Sequence, residues 1–210
     1  MSVDLGSFKI ATVAGFLGMR TARALSTQKQ PLLELSPVQS TSLLTCFLRS
    51  IETERICLDR PPLIHDEPAG VLISNILRPD LQEEWMSGPL LETGVDVLFV
   101  RTRAIDDWVE DDRQRQLQQL GKLSATVLQR QVANLGAGMC ARPYRLKFQP
   151  EIKVRWFEVD DLNLLATKRS VLEGGGFVAN VDPPGGILVA GDVSDVQQLA
   201  KSLASAGHDP

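Results

Sequence analysis

Two short segments of this chain pair residue types at a spacing that suits ligand chemistry. The apolar run Val132-Ala133-Asn134-Leu135 enters Gly136-Ala137-Gly138. About twenty residues further on, Trp156-Phe157-Glu158-Val159-Asp160 ends in an acid. This is the layout of a nucleotide-type cofactor site. A strand delivers the chain into a tight turn, and glycines let the backbone approach a ligand without Cβ collisions. A carboxylate at the tip of the next strand then accepts hydrogen bonds from two ribose hydroxyls. Gly136-x-Gly138-x-x-Ala141 also fits the nicotinamide dinucleotide fingerprint, so on these residues a dehydrogenase stands as a competitor. Two features count against it: a long helical stretch precedes the turn, and Pro143 follows it closely. That proline suits a bent loop better than the immediate start of a phosphate-binding helix.

The other candidates divide into chemical and structural readings. Glu158 and Asp160 lie two apart on one strand and so share a side. One can face the cofactor and the other a neighbouring helix. At a strand tip facing a pocket, Asp160 is expected to support little packing. Asp192, after the third strand, can accept from an adenine amino group or cap the next helix, and Ser194 is equally placed to cap. Cys140 follows the glycine turn but has no histidine near it in sequence, and reads as an inert thiol. Of Arg101 and Arg103, either can clamp a carboxylate bidentately, although composition alone favours a solvated helix face or a surface ion pair. Gly-x-Ser-x-Gly is absent, which argues against a nucleophile-elbow hydrolase, and no His/Cys spacing suits a metal.

These residues need elements to hold them. Pro37 opens a helix over Val38–Thr53 with Leu43, Leu44, Phe47, Leu48 and Ile51 at helical spacing. A second helix starts near Asp66 and ends before Pro79, and Leu81–Met86 forms a third. Val95–Leu117 is amphipathic, with Val97, Leu98, Val100, Ile105 and Val109 predicted as its apolar side. No strand is expected before residue 130. Beyond it the order is strand (Val132–Leu135), strand (Val154–Val159), helix (Leu162–Leu172), strand (Ile187–Ala190) and helix (Val196–Leu203). Short connections between such units imply a parallel α/β sheet. Three strands leave the first with an open edge, where a parallel sheet normally continues. The reading is an N-terminal extension over 1–36, a helical cap over 37–130 and an incomplete Rossmann-like domain over 131–210.

Composition sets wider limits. A net charge of −4 argues against general nucleic-acid binding, and no apolar run approaches the length that spans a bilayer. Three cysteines without ligand spacing fit a reduced compartment, and the cytoplasm is the simplest location. Met1–Pro31, however, carries Lys9, Arg20, Arg23 and Lys29 against Asp4 alone. That composition is compatible with a plastid or mitochondrial transit peptide, and equally with a basic N-terminal helix.

Several ordered blocks together resemble the leucine carboxyl methyltransferase family, which includes polyketide-tailoring enzymes. They run from Ser40-Thr41-Ser42-Leu43-Leu44-Thr45 and Leu48-Arg49-Ser50-Ile51-Glu52 through Pro62–Ala69 to Val100-Arg101-Thr102-Arg103-Ala104-Ile105-Asp106-Asp107. They continue at Asn134–Met139, Arg142-Pro143-Tyr144-Arg145-Leu146, Phe157–Asp160, Lys168 and Gly191-Asp192-Val193. The resemblance covers approximately residues 38–210. It implies a Rossmann-like S-adenosylmethionine-dependent O-methyltransferase fold under a helical cap, acting on a small-molecule or protein carboxylate or hydroxyl. It also implies that Arg101 holds the methionyl carboxylate and Gly136 and Gly138 line the cofactor path. Asp160 would take the ribose hydroxyls, while Asp192 and Val193 would flank the adenine. Two departures follow from the same comparison. Cys140-Ala141-Arg142 stands where the family usually has Asp-Thr-Arg, and the family continues past Pro210 into a further strand bearing a glutamate motif. The expectation is therefore a front part of the fold, either an active methyltransferase or a non-catalytic relic or binding module that self-associates through its open sheet edge.

Overall fold

The computed structural model describes residues 36–54, 61–87, 95–120, 127–148 and 150–209. The basic segment Met1–Pro31, and with it the targeting expectation, lies outside these residues, as does Cys57.

Helix α1 (Pro37–Glu54) begins with a reciprocal cap. The Ser36 backbone N–H donates to Gln39 Oε1 at 2.8 Å, and the Gln39 N–H donates to Ser36 Oγ at 3.3 Å. Two backbone donors without helical partners are thereby satisfied, with Pro37 at the position where its missing N–H does no harm. Helix α2 (Glu67–Ile76) is capped by Asp66, whose carboxylate accepts from the Ala69 N–H. Helix α3 (Pro79–Ser87) packs Trp85 against Phe47 of α1 with ring centroids 5.5 Å apart. On helix α4 (Val95–Leu120) the expected apolar side is only partly right, with Leu98 packed against the main core and Val109 half-buried. Val97, Val100 and Ile105 are exposed, whereas Phe99, Thr102 and Asp106 are buried. The acid can lie on the inner face because two arginines meet it there, so the count of aliphatic residues pointed outward.

The second half follows the expected order with longer strands. β1 (Leu128–Leu135), β2 (Ile152–Asp160) and β3 (Ile187–Ala190) form one parallel sheet in the order β1-β2-β3. β1 starts four residues before the predicted strand because its first half, Leu128-Gln129-Arg130-Gln131, is a polar edge that apolar patterning does not mark. The one-turn helix α5 (Arg142–Arg145) follows the glycine turn. α6 (Leu162–Gly174) follows β2 and α7 (Val196–Ser205) follows β3. Asp161 and Asp195 are the N-caps of α6 and α7, accepting from the N–H groups of Leu164 and Gln198. The expected caps Asp192 and Ser194 instead bond each other, Ser194 donating through N–H and Oγ to Asp192 Oδ1.

Alternation along β2 sends its side chains to two layers. Phe157 and Val159 pack with Val189 of β3 and Leu199 of α7. Ile152, Val154 and Trp156 face the opposite layer, with Leu146 and Phe148 against them. The largest core joins Phe47, Leu72, Phe99, Met139, Leu164 and Leu172, and so ties α1, α2, α4 and α6 to the glycine turn. After α7 the chain returns over the sheet. Arg155 donates to the Gly207 carbonyl at 2.7 Å, His208 sits edge-on to Phe157, and the Asp209 N–H donates to Gln131 of β1. Among the described residues β1 pairs only with β2, and no helix is long and apolar enough to cross a membrane.

Candidate cofactor site

Parallel register sets the C-terminal ends of β1 and β2 side by side, with Leu135 opposite Val159. The turn after β1 is locked onto β2 by backbone and side chain together. The Ala137 N–H donates to the Val159 carbonyl at 3.0 Å, and the Gly138 N–H donates to Asp160 Oδ2 at 2.8 Å. Gly136 and Gly138 both have positive φ, +63° and +44°. Their surroundings differ. A Cβ at Gly136 would meet nothing within 4 Å, whereas one at Gly138 would lie 2.6 Å from Ser42 Cβ of α1. Gly136 therefore keeps the turn open toward a ligand, and Gly138 lets a helix press against it.

Asp160 has a structural task that the sequence reading did not assign to it. Besides Gly138, it accepts from the Asp161 N–H through Oδ1 at 2.8 Å. A carboxylate has about four acceptor positions, so one fastens the turn to the strand tip, one takes the next backbone N–H, and the others remain for ligand hydroxyls. Glu158 faces the other way of use. It is fully buried and receives the Lys168 ammonium at 2.6 Å, while the same Nζ donates to the Cys140 carbonyl at 3.0 Å. Of the two acids on this side of β2, one thus pairs with α6 and the other borders the cleft, the division that their spacing allowed.

The turn opens into a cleft of about 510 Å³. Gly136, Ala137 and Asp160 line it on the sheet side, Ser42 and Thr45 on α1, and Arg101, Thr102 and Ile105 on α4. Arg101 is exposed to this space, and among the described residues no ion pair engages its guanidinium. Arg103 is already committed, to Asp107 at 2.7 Å on its own helix. Asn134 also lines the cleft, and its buried Nδ2 donates to no group among the described residues. Cys140 borders the same space, its sulfur receiving Arg142 Nη1 at 3.2 Å. Asp192 and Val193 are exposed on the loop after β3 and do not line the cleft. In Asp192 the Ser194 hydrogen bonds hold the carboxyl below its ordinary pKa.

A set of buried charges behind the cleft was missed by sequence reasoning. Asp66 is fully buried and accepts from Arg49 Nε at 2.8 Å, while Arg49 Nη2 donates to the Met139 carbonyl of the turn segment. Arg145 Nε lies 3.4 Å from Asp66, and its Nη2 donates to Asp106 at 2.7 Å. Arg142 Nε donates to Asp106 at 2.8 Å. Two carboxylates and three guanidinium groups thus join α1, the α2 cap, α4 and α5. Burial pulls the Arg49 pKa down, but Asp66 beside it, together with Cys46 and Cys140, outweighs this and leaves it raised. Nearby Cys46 lies fully buried, and burial pushes its thiol up to about 12. The available signal was charged residues breaking apolar patterns, Arg49 after Leu48 and Asp106 after Ile105.

The arrangement fits a ribose-bearing cofactor with a carboxylate. Its volume lies within the roughly 300–1,000 Å³ of small-molecule sites, and it offers Arg101, a cation with no ion pair among the described residues, together with a partly unused carboxylate and an open glycine turn. A dinucleotide fits less well, because α5 has only four residues and no long helix starts at the turn. No curated protein matches the chain. The sequence profile described as leucine carboxyl methyltransferase does match it, over residues 42–210. That span takes in α1 from Ser42 onward, the glycine turn, both strand tips and every buried charge named above, and the chain belongs to the leucine carboxyl methyltransferase family, a family of S-adenosylmethionine-dependent methyltransferases.

Proposed function

We propose that this chain binds S-adenosylmethionine in the cleft and acts as an O-methyltransferase on a carboxyl or hydroxyl acceptor, either a small molecule or a protein carboxylate. The observation that carries this reading is the meeting of Arg101, the Gly136–Gly138 turn and Asp160 around one space. Arg101 would hold the methionyl carboxylate through its planar fork of donors. Gly136 would let the backbone run close beside the ligand, while Gly138, pressed against Ser42 and bonded to Asp160, would hold the turn in place. Asp160 would accept from the ribose hydroxyls with the lone pairs not given to Gly138 and Asp161. Asp192 and Val193, on the exposed loop after the adjacent strand, would flank the adenine only where it extends past Asp160 and out of the cleft. When bound, the cofactor supplies an electrophilic methyl group on a sulfonium. The protein's part is to hold that group in line with an acceptor oxygen, catalysis by positioning and not by a covalent intermediate.

Calorimetric titration with S-adenosylmethionine and S-adenosylhomocysteine tests the reading. Binding of both is expected, and Asp160→Ala should weaken it by about one to two orders of magnitude, as the loss of charge-assisted hydrogen bonds implies. Heat with NAD and none with either sulfur compound would replace the methyltransferase with an oxidoreductase.

A second reading rests on Cys140, which puts a thiol bonded to Arg142 where the family usually has a carboxylate. It describes a non-catalytic relic or binding module that self-associates along the β1 edge. Light scattering of the cofactor-free protein separates the two, since a stable monomer at high concentration sinks self-association.

A further inference from the structure

We propose that Asp106 is a positioning residue for the cofactor, fixing the rotation of α4 so that Arg101 faces the glycine turn. The inference rests on the reading of Arg101 as the carboxylate clamp and goes beyond it in naming what aims the clamp. Asp106 is almost wholly buried, and its carboxylate is gripped from two directions, by Arg142 Nε at 2.8 Å and Arg145 Nη2 at 2.7 Å. Both arginines belong to α5, which begins four residues after Gly138. One short length of backbone thus carries the glycine turn and the two cations that hold α4. On α4 itself, Asp106 shares its inward face with Thr102, which lines the cleft one helical turn earlier. Arg101 precedes Thr102 in sequence and so lies about 100° around the helix from it. A rotation of α4 about its axis would carry Arg101 out of the cleft only if it also pulled Asp106 off both arginines.

The outer face of α4 explains why such a device is needed. Val97, Val100 and Trp108 are exposed there, so the helix has apolar side chains on both sides, and hydrophobic patterning alone does not choose between them. A buried, doubly bonded acid does choose, because turning it outward would strip Arg142 of its carboxylate and leave Arg145 only the longer 3.4 Å contact with Asp66.

The test is a double-mutant cycle on the full chain, read by S-adenosylhomocysteine calorimetry. Asp106→Asn and Arg101→Ala should each weaken binding by about tenfold or more, and the double variant should bind no worse than Arg101→Ala alone within about threefold. Additive losses, or an unchanged affinity in Asp106→Asn, would overturn the assignment. If Asp106→Asn does not fold, Arg142→Lys carries the cycle instead, since it keeps the charge and loses the rigid fork. Hydrogen exchange of residues 99–112 supplies a readout that needs no cofactor. Faster exchange confined to that stretch is expected in Asp106→Asn, whereas unchanged exchange, or acceleration spread equally over β2, overturns the role. Should the parent bind neither sulfur compound, the proposed function fails by itself, and the exchange result still decides for or against Asp106.

Discussion

The two walls of the cleft are made by different means. On the sheet side the geometry comes from backbone: parallel register, two positive-φ glycines and amide donors aimed at the Val159 carbonyl and Asp160. On the helical side it comes from side chains far apart in sequence, Arg49 and Asp66 with Arg145, and Asp106 with Arg142. Backbone geometry is nearly self-specifying once strand and turn residues are in place. A web of buried charges is not, because each member is tolerable only while its partners are present. The comparison teaches where each wall should fail, the sheet side by local strain and the helical side cooperatively.

The largest effect is expected at the centre of the charge web. Asp66→Ala removes the α2 cap and the counter-charge of Arg49 and Arg145 together, and breaking a buried pair from one side costs about 3–5 kcal/mol. Urea denaturation should show that loss, and a change below about 1 kcal/mol would break the contrast by showing that water solvates the arginines readily.

Gly138→Ala sharpens the same contrast on the other wall. Left-handed backbone costs a non-glycine residue about 1–2 kcal/mol, and forcing a Cβ to within 2.6 Å of Ser42 adds overpacking of about 1–3 kcal/mol. Gly136→Ala, with open space around it, should show only the first cost. Equal destabilisation of the two variants would mean that α1 yields easily at Ser42. Thermal melts of the pair decide it.

The smallest effect is kinetic. Burial pushes the Cys46 thiol up to about 12, so at pH 8 it stays protonated and enclosed, whereas Cys140 borders the cleft. Iodoacetamide should label Cys140 well ahead of Cys46, with S-adenosylhomocysteine slowing the reaction at Cys140. Peptide mass spectrometry reads both sites, and comparable rates would show the α1–α2 core opening as freely as the cleft.

Legibility in the sequence follows the same division. The tip of β2, the turn, α6, β3 and α7 fall where local patterning put them, because each is defined by neighbours within a few residues. Glu158 and Asp160 even divide their tasks as a two-residue spacing allows. Two of the three failures are non-local. The buried side of α4 was misjudged because Asp106 counts as polar until Arg142 and Arg145, more than thirty residues on, are seen to cover it. The cap of α7, left open between Asp192 and Ser194, falls to Asp195 because those two satisfy each other. Asp160 looked free because its partner, the Gly138 amide, is visible only once the parallel register is known. The family blocks quoted from the sequence contain every charge in the web, but a block shows which residues occur and not which ones touch.

The close approach of Ser42 to Gly138 also bears on how this sequence can drift over time. A bulkier residue at position 42 would lift α1 from the turn, and α1 carries Arg49, whose guanidinium holds the Met139 carbonyl one residue beyond that glycine. Positions 42, 49 and 138 are therefore coupled: a larger side chain at 42 or 138 is expected to disturb the Arg49–Met139 contact along with the turn.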